Sequence, residues 1–400
     1  MLGRGATIKL LRYSTQAHKA ALIDGTDALE ERLRSNELLK NLKCKYQDNQ
    51  FQVVEDGDEG SQHLNCDKSL PMTVFPKQEI FDKVMRDNKV SQWRKPLTQW
   101  FRLGVHMMKY YKDGLRDTYR VAKDTRNLVE KCELDPKTPL VTQLCKLIEF
   151  NEIATRQKKD ATALPLTRKQ SVMYHRRAQV WKLPTFFILA LIFEEFTAVV
   201  CYVFPKLAPH NCLTPGAYQK VCRTHTNDVT SWNPIKYQSP YTISKSSLFH
   251  ILRRTPVAHI SKWKLKIYDT MNIRKNPSET LMRIHQYLFI DDWFLLKDIM
   301  DDNPTLLSRK ELVNCIFERQ LFSADEDLNK MVNEEEGRRL LIWRLFAYWS
   351  FRFDGTVTVG GGQLFVEKWG VNNVAILNYS GLVGNKQLDK KIYQSWRSNL

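Results

Sequence analysis

Two adjacent carboxylates, Glu194 and Glu195, sit in the middle of the run 184–204, whose other residues are nearly all apolar. An ionised carboxylate at the centre of a bilayer costs about 3 kcal/mol on insertion scales, so a pair there needs a chemical reason. Adjacent helix positions point about 100° apart, so the two cannot share one partner face. Three readings stay open. The carboxylates pair with polar or basic groups of a neighbouring subunit, as in a homo-oligomer, or stay protonated in a helix bundle. They line a path for cations or protons. Or the run is no span but the core helix of a soluble or monotopic domain, which its division into two apolar halves of about ten residues favours.

The cations form the second candidate constellation. Arg168, Lys169, Arg176, Arg177 and Lys182 precede the run; Lys206, Lys220 and Arg223 follow it. Lys262, Lys264 and Lys266 interleave with aromatic residues in KWKLKIYDTMNIRK, and WRKPLTQWFRLG repeats the pattern. Clustered cations with rigid aromatic rings suit single-stranded RNA or a ribosomal surface. The plainer reading is amphipathic helices whose charges are solvated. With 61 Lys and Arg against 44 Asp and Glu, the net charge is +17, which favours nucleic acid, ribosomes or anionic lipid. An enzyme is not expected: there is no GxSxG, HExxH, DFG or EF-hand loop, and Gly360–Gly362 lack the Lys-Ser/Thr of a phosphate loop. The eight cysteines show neither CxxC pairs nor zinc spacing, so no metal, cofactor or disulfide framework is expected.

These residues need helices to place them. Residues 1–14 carry Arg4, Lys9 and Arg12, no acid and an apolar side, the composition of a mitochondrial presequence. Residues 15–78 read as a charged helix and a poorly ordered linker. Residues 79–183 read as helical, with Ile80, Val84, Trp100, Leu103, Met107, Tyr111, Leu115, Tyr119 and Ala122 on one apolar face. Thr167-Arg168-Lys169-Gln170 has the form of a capping box. The stretch 184–204, bounded by Pro184 and Pro205, is about 30 Å long as a helix, the thickness of a hydrocarbon core. Residues 205–353 read as loops followed by a helical domain. In it Leu281, Ile284, Leu288, Leu295 and Ile299 trace a buried face, and boxes at Ser308 and Ser323 delimit helices over 309–321 and 324–350. Residues 354–400 form a glycine-rich tail, irregular or partly β.

The segments FRLGVHMMKYYKDGLRDTYRVAKDT and LTRKQSVMYHRRAQVWKLPTFFILALIFEEFTAVVCYVFPKLAPHNCLTP resemble the LETM-type proteins of the mitochondrial inner membrane. The shared elements fall on Tyr111, Gly114, Leu115 and Arg116, on Leu166 to Gln170, and on Pro184, Glu195, Phe204, Pro205, Leu207 and Pro209. The build is also similar to the fungal pentamidine-resistance factors, which act in protein export across the inner membrane. The resemblance covers roughly 100–330; the coiled coils and EF-hand of many LETM-type members are missing. It implies a mainly α fold: a 14-3-3-like helical bundle that binds ribosomes, one transmembrane helix, and the small tail. The implied location is the mitochondrial inner membrane, single-pass, with the large domain facing the matrix. The implied function is to bind the mitochondrial ribosome and assist insertion and export of mitochondrially encoded proteins, with inner-membrane lipid and the insertion machinery as further partners. Arg168, Lys169, Arg176, Arg177, Lys262, Lys264 and Lys266 are the candidate ribosome contacts. The alternative is potassium–proton exchange through Glu194 and Glu195.

Overall fold

The computed structural model describes residues 33–353 except 56–59, 158–162, 195–196, 227–240, 259 and 302–303, together with 393, 394 and 397. The presequence expected at 1–14, nearly all of the tail at 354–400, Glu195 and the side chain of Lys262 lie outside the described residues.

The fold is mainly helical and built around the helix Lys275–Met300. Its middle is buried on every side: Leu281, Ile284, Tyr287, Leu288, Phe289, Ile290, Trp293, Leu295 and Ile299 all face neighbours. A helix apolar all round belongs inside a protein or a membrane; this one is enclosed by protein. Leu140–Arg156, Arg168–Arg176 and Lys245–Arg254 pack against it. Arg309–Glu318 and Glu335–Arg352 complete the bundle, and Glu37–Gln47 lies on the last of these.

Local chemistry sets several helix ends. Thr167 caps Arg168–Arg176 with both bonds of the capping box in place. Ser308 accepts the amide of Glu311 and starts Arg309–Glu318. The box at Ser323 forms differently: its amide donates to the Glu326 carboxylate at 2.9 Å, but the helix starts at Leu328 behind Asp327. It then breaks at Glu334, giving Leu328–Asn333 and Glu335–Arg352 where one helix was expected. The break brings Gly337 against the Met331 backbone, where a Cβ would meet the Met331 carbonyl oxygen at 2.4 Å.

Two elements were not expected. Strands Phe51–Val54 and Thr305–Ser308 pair in parallel, with Phe51 opposite Thr305 and Val54 opposite Ser308. Each is four residues long, too short for a period-two pattern to stand out. Residues 64–73, expected as loose linker, pack on the core. Leu64, Asn65, Cys66 and Leu70 are buried, and the Asn65 side chain bridges the Leu306 carbonyl at 2.8 Å and the Ser308 amide at 3.0 Å.

The continuous span expected at 184–204 does not form. Leu183–Phe193 is one helix and Thr197–Val203 another. Glu194 ends the first with φ 43° and ψ −112°, and the Thr197 hydroxyl donates to its carbonyl at 2.7 Å. No helix among the described residues is long and apolar enough to cross a membrane. The physical reason lies at Glu194: no basic side chain pairs with it among the described residues, and a break there keeps its carboxylate in water.

Candidate functional site

The helix Leu183–Phe193 presents two different sides. Leu183 and Phe186 are buried, and Phe186 packs on Tyr111 with ring centroids 5.7 Å apart. Phe187, Ile188, Leu191 and Ile192 point outward, Leu191 with 80% of its surface exposed. Their spacing of one, three and one places them on one helical face. The helix is apolar all round, with one side on protein and the other largely exposed among the described residues. Just before it, Trp181 is 81% exposed; beyond the break, Tyr202, Val203 and Phe204 are also exposed. The two helices contact one another, and Cys201 of the second is buried in the same core as Phe186, Tyr111 and Cys212.

A polar knot holds this hairpin to the helix Lys95–Asp124. The Asn211 side chain donates to the Gly114 carbonyl at 2.8 Å and to Lys68 at 3.1 Å. The Thr118 hydroxyl sits 2.9 Å from Asn211 Oδ1, and the Tyr110 hydroxyl is 2.7 Å from the Asn211 carbonyl. Gly114 is required by closeness: a Cβ there would meet Cys212 Sγ at 2.7 Å. Tyr111, Gly114, Thr118 and Val121 form the buried face of this helix. Its first half differs from expectation. Leu97, Trp100, Phe101, Val105 and Met108 are exposed, as is Tyr119 further on, so Trp100 and Tyr119 leave the predicted core face.

Two of the seven predicted contact residues, Arg168 and Arg176, lie in the interior instead of on the surface. Arg168, 1% exposed, donates from Nε to Asp291 at 2.8 Å, from Nη2 to Glu311 at 3.1 Å, and from Nη1 to the Leu64 carbonyl at 2.6 Å. Arg319 bonds Asp291 and Asp292, each at 2.7 Å. Arg352 Nε lies 3.0 Å from Asp292, and Trp349 Nε1 donates to the same carboxylate at 2.7 Å. Arg176 reaches the Ser69 hydroxyl at 2.7 Å and faces Glu311 and Glu318 at 3.7 and 3.9 Å. Four guanidiniums thus meet four carboxylates in the interior. Burial pushes Asp291 upward, but Arg168 and Arg319 together hold it at about 2. For Glu318, burial wins and raises the carboxyl despite Arg176. His285 is buried beside Arg352, and both lower its pKa far enough to keep the imidazole neutral.

Of the other candidates, Lys169 and Arg177 are half-buried, and the Arg177 guanidinium lies 3.5 Å from the Tyr174 ring centroid. Lys264 and Lys266 are exposed on Lys262–Thr270, next to Trp263 at 77% exposure. Glu194 is exposed at the break; Pro184 lies in the first turn of its helix, and Pro205 opens a short 3₁₀ turn. Asp291 and Asp292 escaped sequence reasoning, although the signal was there: an acidic doublet inside the apolar run 287–296. Among the described residues no group of His, Cys, Asp and Glu side chains is placed to hold a metal.

Comparison with known proteins bears on this arrangement. Residues 64–300 match the pentamidine resistance factor domain. The chain is 39% identical over 393 residues to the mitochondrial pentamidine resistance factor of Saccharomyces cerevisiae, covering 88% of this chain and 92% of the relative. No solved structure matches.

Proposed function

The chain belongs to the pentamidine resistance factor family, and from that premise we propose that it is a mitochondrial protein docked on one face of a membrane, where it assists insertion and export of proteins made inside the organelle. One observation carries the docking. Phe187, Ile188, Leu191 and Ile192 form an outward apolar face on a helix whose other side is fixed to the core. Burying such side chains is worth about 1.5–3 kcal/mol each. A helix lying in the headgroup–acyl boundary buries one face without crossing, and Glu194 at its end stays at headgroup level. The mitochondrial setting is supported by the yeast relative, which carries that description. The test is flotation of the full-length protein with lipid vesicles. The wild type is expected to float and Phe187→Ser/Leu191→Ser to stay in the dense fraction; equal flotation of both removes the docking face.

The partners on this reading are membrane lipid, the mitochondrial ribosome and the insertion machinery. Lys264 and Lys266 support ribosome contact, being exposed beside Trp263 on one short helix. Co-sedimentation with ribosomes should weaken with salt, and Lys264→Gln/Lys266→Gln should reduce the logarithmic salt slope by roughly 1.4. An unchanged slope discards these two residues as contacts. Cation–proton exchange is the second reading. It is favoured by the exposed Glu194 carboxylate at the hairpin break and by the name of the yeast relative, since pentamidine is itself a dication. It predicts potassium-dependent proton flux in proteoliposomes that Glu194→Gln abolishes; absence of flux from the unmutated protein excludes it.

A further inference from the structure

Three lysines ring the base of the apolar hairpin, and none has a carboxylate partner among the described residues. Lys182 ends the turn before Leu183–Phe193, and its ammonium donates to the Ala208 carbonyl at 3.2 Å. Lys206 lies exposed in the turn Pro205–Leu207, where the second helix of the hairpin ends. Lys220 donates to the Tyr202 carbonyl at 3.2 Å and stands over the Tyr202 ring, 3.6 Å from its centroid. Gly216 also lies against that ring, where a Cβ would come within 3.1 Å of it. Lys220 is one turn beyond Gly216 on Pro215–Thr224, so the ring and the ammonium are held as a unit. Lys182 bonds the carbonyl of Ala208, two residues beyond Lys206. Burial pushes Lys182 down to about 8, with Cys212 opposing the shift and Lys206 adding to it.

We infer that Lys182, Lys206 and Lys220 form a receptor for the phosphate headgroup of an anionic phospholipid. The inference rests on the docking reading, because it needs the hairpin face in the acyl region to bring headgroups to its base. Charge complementarity and the level of these side chains beside the apolar face favour it. Lysine ammoniums and a half-exposed tyrosine beside an apolar insertion are the side chains suited to the headgroup zone. A headgroup phosphate supplies the counter-charge that Lys182 and Lys206 lack among the described residues, and Lys220 is already oriented by Tyr202.

The test uses the full chain in flotation against two vesicle types, phosphatidylcholine alone and phosphatidylcholine mixed with phosphatidylglycerol. The variants are Lys206→Gln and Lys220→Gln, both exposed, with Lys112→Gln/Lys123→Gln on the surface of Lys95–Asp124 as controls. Each hairpin lysine is expected to weaken binding to the anionic vesicles about fivefold and to leave phosphatidylcholine binding unchanged. Inorganic phosphate should displace the protein no better than chloride at equal ionic strength. Equal losses from the control lysines, no loss from Lys206 and Lys220, or selective release by inorganic phosphate would each overturn the lipid receptor. In those cases binding to both vesicle types leaves the docking reading standing, whereas failure to bind either vesicle removes that reading and the receptor with it.

Discussion

Two acidic doublets lie in apolar runs of this chain, and the pair Asp291 and Asp292 fares differently from Glu194. Asp291 and Asp292 stay in an unbroken helix, out of water, each bonded to at least one arginine. Glu194 breaks its helix and stands exposed in a left-handed backbone conformation. The local sequences are alike, YLFIDDWFLL and LALIFEEFTA. What differs is remote. Arg168, Arg319 and Arg352 converge on the aspartates from three other parts of the chain; no basic side chain pairs with Glu194 among the described residues. A buried carboxylate survives only when cations and hydrogen bonds replace its water. Where none arrives, the backbone yields and the acid returns to solvent.

The comparison breaks most sharply at Asp291. Asp291→Ala leaves Arg168 and Arg319 without part of their counter-charge inside the protein, and should cost about 3–5 kcal/mol, read as a lower denaturation midpoint. The hairpin should respond in the opposite sense. Phe187→Ser/Leu191→Ser is expected to leave solution stability almost untouched while lowering vesicle affinity by roughly 3 kcal/mol, so a large fall in the midpoint would show that this face is packed after all. Acid sharpens the aspartate side. Asp291 is depressed in the folded state to about 2, below its unfolded value. Its contribution is therefore complete above roughly pH 4 and lost as the pH falls through 2, a decline of about 2 kcal/mol. Asp291→Asn should flatten that decline. The smallest effect belongs to Glu194. Its positive φ suits glycine, so Glu194→Gly should raise stability by up to about 1 kcal/mol; a loss of stability there would mean that the carboxylate has a partner.

Much of the architecture was legible in the residues. Thr167 to Gln170 announced its cap, Ser308 announced another, and the apolar periodicity of Leu281 to Ile299 marked the central helix. The chain's resemblance to the fungal pentamidine-resistance factors pointed to the family that the comparisons establish; the LETM-type branch finds no separate support in them. Arg168 and Arg176 illustrate what a single sequence conceals. In a run of basic residues they look like solvated charge, and only their remote partners, Asp291, Glu311 and Glu318, give them an interior role. The hairpin was obscured differently. Hydropathy counts apolar residues but does not record whether an apolar side faces protein, lipid or both. The division of the run into two apolar halves favoured a core helix over a span; the halves are instead two helices, Leu183–Phe193 and Thr197–Val203, parted at Glu194. The parallel pair of four-residue strands left too short a pattern to read.

The central claim is that Leu183–Phe193 lies along a membrane with one side in lipid and the other on its own protein. It is tested most directly by a nitroxide scan of residues 184–193 on vesicle-bound protein, one cysteine at a time in a Cys44→Ser background, since Cys44 is an exposed native thiol. Collision rates with oxygen and with a water-soluble nickel chelate report depth and contact. The account predicts oxygen contact that oscillates with the helical period, peaks at 187, 188, 191 and 192, and keeps one shallow depth throughout. A depth that increases steadily from 184 towards Glu194, with lipid contact on all sides, would contradict it.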